Sequence, residues 1–138
     1  MEKDPHLIRS ILFSINRWGE GTTCFSIMRK ANSAAIYMST GSYMSPQVYE
    51  IAERKISLAE FNAFADRLYR QFEFEKWDEE YHGDSLDGTN WYMIVKFSKQ
   101  QFLERRGSNA YPKYWNEVVD HFMALFPDNE PAHKILKT

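Results

Sequence analysis

Two segments of the chain repeat the same spacing of large apolar side chains, and this repeat constrains the fold more than any other feature. In each segment the apolar residues lie at offsets of 3, 4, 7 and 11 from the first. This spacing places them on one face of an α-helix. The first set is Phe61, Phe64, Ala65, Leu68 and Phe72, and the second is Trp115, Val118, Val119, Phe122 and Phe126. The sequence therefore predicts two amphipathic helices, each of which needs an apolar surface to cover.

Local signals mark where these helices begin and end. Ser57 and Glu60 have the spacing of a capping box, in which each side chain accepts a hydrogen bond from the other residue's backbone. Pro112 suits the first turn of the second helix, because its fixed φ and missing N–H are tolerated there. Pro127 is expected to end that helix.

Alternation of apolar and polar residues predicts strands elsewhere in the chain. It is clearest where Trp91, Met93 and Val95 fall on one face and Tyr92 and Ile94 on the other. Strands are predicted at 9–16, 22–29, 34–39, 48–56, 91–97 and 102–106. Residues 6–16 fit both helical and strand spacing, so that assignment stays open, with strand favoured.

These elements together predict an α+β fold. We expect an antiparallel sheet of about four to six strands, with both helices packed on one face, in the approximate order β-β-β-β-α-β-β-α. The length of 138 residues suits one domain, which we place at 1–127 and which a polar C-terminal tail follows at 128–138.

Composition narrows the classes of partner and the expected compartment. The formal net charge is −2, which gives no overall attraction to nucleic acid, although Lys96, Lys99, Arg105 and Arg106 form a small basic patch. No apolar run approaches the length of a membrane helix, so we expect no membrane partner. The single Cys24 is interpreted as a structural thiol, and a cytoplasmic location is expected.

The last third of the chain carries a composite signature. It reads Asp-Gly-Thr-x-Trp at 87–91, then Gly-x-Asn-Ala-Tyr-Pro-x-x-Trp at 107–115, with a helix that ends in Phe. This pattern resembles one in a group of small bacterial and phage proteins that has no established activity. The resemblance implies a bacterial or phage origin and an α+β fold, and it implies no catalytic residue.

The acidic segment 73–87 is the most unusual feature of the composition. It holds seven carboxylates and one lysine, and Trp77 and Tyr81 interrupt the charge. Aromatic anchors among steering charges are typical of a protein-binding surface that meets a basic partner. The predicted binding residues are Trp77, Asp78, Glu79, Glu80, Tyr81 and Asp84. A solvated loop without a binding role is the alternative.

Other candidates for chemistry are weaker. Glu117 and His121 lie four residues apart and share a helix face, which suits proton transfer, but no third ligand for a metal is evident. Asn109 and Tyr111 are loop candidates for a ligand contact. No motif implies a cofactor or a metal site.

The favoured hypothesis is a non-catalytic protein-interaction module, of the inhibitor, immunity or anti-defence kind. The alternatives are a small hydrolase or nuclease that uses Glu117 and His121, and a structural oligomeric subunit. The oligomeric state itself is left open.

Overall fold

A computed structural model describes residues 4–41, 48–84 and 88–126, and for residues 48–51 it describes only the backbone. The predicted tail, 128–138, lies outside the described residues. The strands are β1 (Ser10–Arg17), β2 (Gly21–Arg29), β3 (Ser33–Gly41), β4 (Val48–Ser57), β5 (Glu80–His82), β6 (Thr89–Lys96) and β7 (Phe102–Ser108). The helices are α1 (Leu58–Asp66) and α2 (Trp115–Met123). The ambiguous segment near the N-terminus is therefore a strand, with a short 3-10 turn at Pro5–Leu7 before it.

The seven strands form one sheet in the order β4-β3-β2-β1-β6-β7-β5. Neighbouring strands are antiparallel, except that β5 runs parallel to β7. The α+β class is confirmed, whereas the predicted strand number and element order are wrong by one strand, and the sheet is mixed. The missed strand, β5, has three residues, which is too short to show alternation.

The capping box at the start of α1 is confirmed. The backbone N–H of Glu60 donates to Ser57 Oγ at 3.0 Å, and that of Ser57 donates to Glu60 Oε1 at 3.4 Å. The helix passes at Arg67–Gln71 into a π-helical turn, so the first apolar set spans both elements. Its last members, Leu68 and Phe72, are fully buried.

The second helix begins later than predicted. Tyr114 has a φ of 69°, in the left-handed region, so the chain from Pro112 to Tyr114 is not helical and α2 starts at Trp115. The predicted apolar face is nevertheless correct, because Val118, Val119 and Phe122 are all buried.

Both helices cover the same face of the sheet, through an aromatic cluster. The ring of Phe122 lies 4.6 Å from that of Phe13 on β1 and 5.6 Å from that of Phe25 on β2. It also lies 5.0 Å from Phe64 of α1, which joins the two helices. On the β6 side, Trp115 contacts Trp91 at 5.1 Å. The core therefore lies entirely between the helices and one face of the sheet.

The opposite face carries half-buried side chains, and neither α-helix lies over it within the described residues. Successive strand residues point to opposite faces, so the neighbours of the core residues emerge there. We call this the open face. Its central residues are Leu12, Ser14, Cys24, Ser26, Tyr37, Ser39, Tyr92 and Ile94.

The capping box gives a direct stability prediction. Ser57→Ala removes the side-chain acceptor of the Glu60 N–H, and it should lower the free energy of unfolding by about 1 kcal/mol. Urea unfolding would measure this change. Ser57→Thr, which keeps a hydroxyl acceptor, is the matched control and should retain most of the stability. Equal losses in the two variants would show that the cap contributes little.

Candidate partner-binding surface

The acidic segment is held along the β7 edge of the sheet by backbone hydrogen bonds. The Arg106 N–H donates to the Glu79 carbonyl at 3.0 Å, and the Gly83 N–H donates to the Ser108 carbonyl at 3.0 Å. These bonds bracket β5, which pairs with β7 between them. Residues 80–82 of the segment thus form an edge strand that is fixed on both sides, and this part is not the free loop that the composition suggests.

Four carboxylates project from this edge into solvent. We call them the acidic rim, and they are Asp78, Glu79, Glu80 and Asp84, all exposed. Glu80 pairs with the imidazole of His82 at 3.7 Å. Among the described residues, no lysine or arginine side chain lies within 4.0 Å of any of the four. Asp78, Glu79 and Asp84 therefore form no ion pair among the described residues, while Glu80 pairs with His82 and lies beside Arg106 of β7.

Trp77 does not belong to that surface, which corrects the prediction that it anchors a partner. Its side chain is 7% exposed, and its Nε1–H donates to the Phe72 carbonyl at 2.8 Å. The indole packs against Phe74 at 5.0 Å and Trp91 at 6.1 Å. A short 3-10 turn at Phe74–Lys76 directs the chain inward there, so Trp77 is a core residue.

Tyr81 also faces the core side of the sheet, although it stays partly exposed. It is paired with Gly107, and its ring lies 5.9 Å from Trp91. Its hydroxyl accepts a hydrogen bond from the Asp78 N–H at 2.9 Å. Partial burial is the main cause that raises the pKa of Tyr81 above its usual value. The side chain therefore shapes the backbone of the acidic rim and does not project as an anchor.

A different aromatic residue, Trp18, is exposed to solvent, and the sequence patterns described above assign it no role. Its side chain is 72% exposed at the tip of the β1–β2 hairpin. The Trp18 N–H donates to the Gly88 carbonyl at 2.9 Å, which fixes the hairpin against the chain just before β6. An indole in a polar turn, with no apolar neighbour in sequence, was the signal that could have identified it.

Asn109 ties this end of the sheet together. Its φ is 56°, and its side-chain Oδ1 accepts from the N–H groups of Gly88 at 2.9 Å and Thr89 at 3.2 Å. The backbone of Gly83 lies so close to the Asn109 carbonyl that a Cβ at position 83 would overlap it. Asn109 therefore contacts the chain beside Asp84 and the chain beside Trp18, and holds the two together.

Tyr111, the other loop candidate, is a packing residue. Its half-buried ring lies 4.9 Å from that of Trp115 at the start of α2.

The open face continues from the acidic rim along one row of the sheet. Glu80 is paired with Arg106, which is paired with Tyr92, and the Arg106 guanidinium lies 5.7 Å from the Tyr92 ring. Farther along the row lies Cys24, whose thiol has its pKa raised by burial. The sheet surface beside the acidic rim is thus a mixture of aromatic, small polar and thiol groups.

The basic patch predicted around Arg105 is not continuous. Arg105 is 6% exposed and points into the protein, where its guanidinium donates to the carbonyls of Glu104 and Glu75. Arg106 is exposed, but it pairs with the carboxylate of Glu104 at 3.0 Å. Arg105 and Arg106 therefore do not form the continuous positive surface that binding of a nucleic-acid phosphate backbone would require.

Glu117 and His121 do not form a hydrogen-bonded or ionic pair. His121 Nε2 lies 3.0 Å from the Phe64 carbonyl, and it must donate because a carbonyl only accepts. The imidazole also stacks on the Phe64 ring at 3.8 Å. Burial lowers the pKa of His121 to about 4, so the ring is neutral at pH 7. His121 is therefore a packing residue between the helices, while Glu117 is exposed to solvent.

The described ranges contain neither a cluster of metal ligands nor a helix that could span a membrane. No group of three or more His, Cys, Asp or Glu side chains could hold a metal ion in residues 4–41, 48–84 and 88–126. No helix in that part of the chain is long and apolar enough to cross a membrane.

Comparison of the chain with models of protein families, with curated proteins and with solved structures found no match. The assignment of a function therefore depends on the geometry described above.

The buried imidazole makes stability depend on pH. Below pH 6.5 the unfolded chain gains a proton at His121 that the folded protein does not take up until about pH 4, so acidification favours unfolding. Between pH 7 and pH 4.5 this should cost roughly 2 kcal/mol. Urea unfolding at the two pH values should show a loss larger by that amount in the native chain than in His121→Gln. Equal losses would mean that His121 is protonated freely in the folded state.

Proposed function

We propose that this chain is a non-catalytic protein-interaction module that binds a basic surface of a partner protein. The observation that carries the proposal is the 72% exposure of Trp18 at the end of the sheet where the acidic segment terminates. Trp is the residue most enriched among binding hot spots, and burying one removes about 150–250 Å² of side-chain surface from water. A partner that covered Trp18 would remove much of its indole surface from water.

The acidic rim supplies the complementary long-range attraction. Three of its carboxylates, those of Asp78, Glu79 and Asp84, form no ion pair with a described residue, so their field extends into solvent. Such a field accelerates encounter with a basic surface and disfavours an acidic one. Trp18 then provides the short-range contact that slows dissociation. The acidic rim should therefore affect the association rate, and Trp18 the dissociation rate.

Rigidity supports the same interpretation. The Trp18 turn and the chain beside Asp84 are both held by Asn109 and its neighbours, through hydrogen bonds of 2.9–3.2 Å. A surface fixed before binding loses less conformational entropy when the complex forms. The arrangement therefore favours binding without rearrangement of this end of the sheet.

The inhibitor, immunity or anti-defence kind of binder remains our choice within this class. Its support is the signature at 87–91 and 107–115, which resembles that of small bacterial and phage proteins, together with the compact acidic binding edge. The hydrolase or nuclease alternative required Glu117 and His121 to act together. The imidazole of His121 is instead committed to the Phe64 carbonyl.

Two variants test the proposal on a partner captured from an extract of the organism that encodes the chain. Trp18→Ala should weaken binding by about 30-fold, mainly through faster dissociation. The combined change Asp78→Lys and Glu79→Lys should slow association about tenfold at low ionic strength and reduce its dependence on salt. Biosensor kinetics at two salt concentrations would measure both rates.

Matched controls separate binding from charge and folding. Leu7→Ala removes another exposed apolar side chain, 64% exposed in the turn before β1, and should leave affinity unchanged. Glu117→Lys with Asp120→Lys alters net charge by the same amount on exposed residues of α2. Unchanged kinetics in the Trp18 and acidic-rim variants would rule out this surface, whatever the partner is.

A further inference from the structure

The strand β4 ends the sheet on the side opposite the acidic rim. It spans ten residues, Val48–Ser57, and pairs only with β3. The outer backbone edge of β4 pairs with no strand in the described part of the chain. A long open edge is a template for another strand. The other edge strand, β5, has three residues and offers far less.

The charges in the middle of β4 are complementary to themselves. Glu53 and Lys55 point to the open face, and both are exposed, as is Arg54 between them. In an antiparallel pair related by a two-fold axis at residue 54, residue 53 of each copy lies opposite residue 55 of the other. This register therefore creates two cross-strand pairs of opposite charge, and directly opposed charges of opposite sign stabilise such pairing.

The helix side of the same edge carries two apolar residues that flank Arg54. Ala52 and Ile56 point to that side and would be opposed in the same register. Arg54 also lies there, but its Nη1 donates to the Leu125 carbonyl at 2.9 Å, which draws the guanidinium back toward the end of α2. In the two-fold pair, the guanidinium groups of the two Arg54 copies would therefore point away from the two-fold axis.

A groove runs beside this edge between the helices. It has a volume of about 320 Å³ and is bounded by charged residues at Glu60 and Arg67. Its apolar walls are formed by Ile56, Ala63, Phe64, Ala124 and Leu125. A second copy joined at β4 would bring its own helix side against this groove, which offers apolar burial in addition to backbone hydrogen bonds.

We propose that β4 is a self-association edge through which two copies of this chain join β4 to β4, antiparallel, with Glu53 of each copy opposite Lys55 of the other. The two sheets then form one continuous sheet, and the helices of both copies lie on the same side. Because β5 lies at the opposite end of the sheet order, each copy keeps its acidic rim free. Self-association is thus independent of the proposed partner binding, and it would make the binder bivalent.

Sedimentation equilibrium of the full chain at several concentrations and at low ionic strength tests this proposal. The native chain should show a monomer–dimer equilibrium. Lys55→Glu and Glu53→Lys should each weaken the dimer by about tenfold or more, because each places like charges in opposition twice. The combined swap Glu53→Lys with Lys55→Glu should restore the dimer to near its original affinity.

Lys99 is exposed in the segment between β6 and β7. Lys99→Glu is the control for net charge and should leave the dimer unchanged. A native chain that is monomeric at every concentration would overturn the proposal. A dimer that neither single variant weakens would do the same, because association would then use another surface. Far-ultraviolet circular dichroism of each variant would verify that the sheet is retained, and the two single variants provide independent readings.

Discussion

The structure depends on the packing of one aromatic ring, that of Phe122, at the point where both helices meet the sheet. It contacts Phe13, Phe25 and Phe64 within 5.6 Å, so it joins β1, β2, α1 and α2 in a single cluster. Core aromatic side chains contribute about 3–5 kcal/mol each when judged by truncation. Phe122 therefore joins both helices to the central strands, together with the contacts of Trp115 with Phe13 and Trp91.

One-sided packing determines where function can reside. Most large apolar residues of the central strands are directed at the helices, and the other face carries small polar, tyrosine and thiol groups together with Leu12 and Ile94. The connections at the β1–β2 end of the sheet are fixed by backbone hydrogen bonds and by Asn109, and this places Trp18 and the chain beside Asp84 at a common end. The core, the open face and the proposed binding surface are therefore three consequences of the same arrangement.

Local patterns in the sequence predicted the regular elements well, because those patterns act over a few residues. The capping box at Ser57, the apolar face of α2 and the alternation in β6 were all found as expected. The predictions that were wrong concerned features that depend on the path of the chain in space. Trp77 stands among acidic residues, and nothing local reveals that a short turn directs it into the core. The three-residue β5 exists only because β7 lies beside it.

The central claim, that one face of the sheet is packed while the other is accessible, is tested most directly by labelling a thiol under native conditions. Cys24 lies on the open face, so alkylation of the native chain should proceed without unfolding, at a rate that low concentrations of urea do not change. Ala65 is fully buried under the helices. A cysteine placed there by Ala65→Cys, in a chain that also carries Cys24→Ser, should react only through global unfolding, with a rate that rises steeply with urea. If the reactivity of Cys24 follows global stability in the same way, the face is covered and the account is wrong.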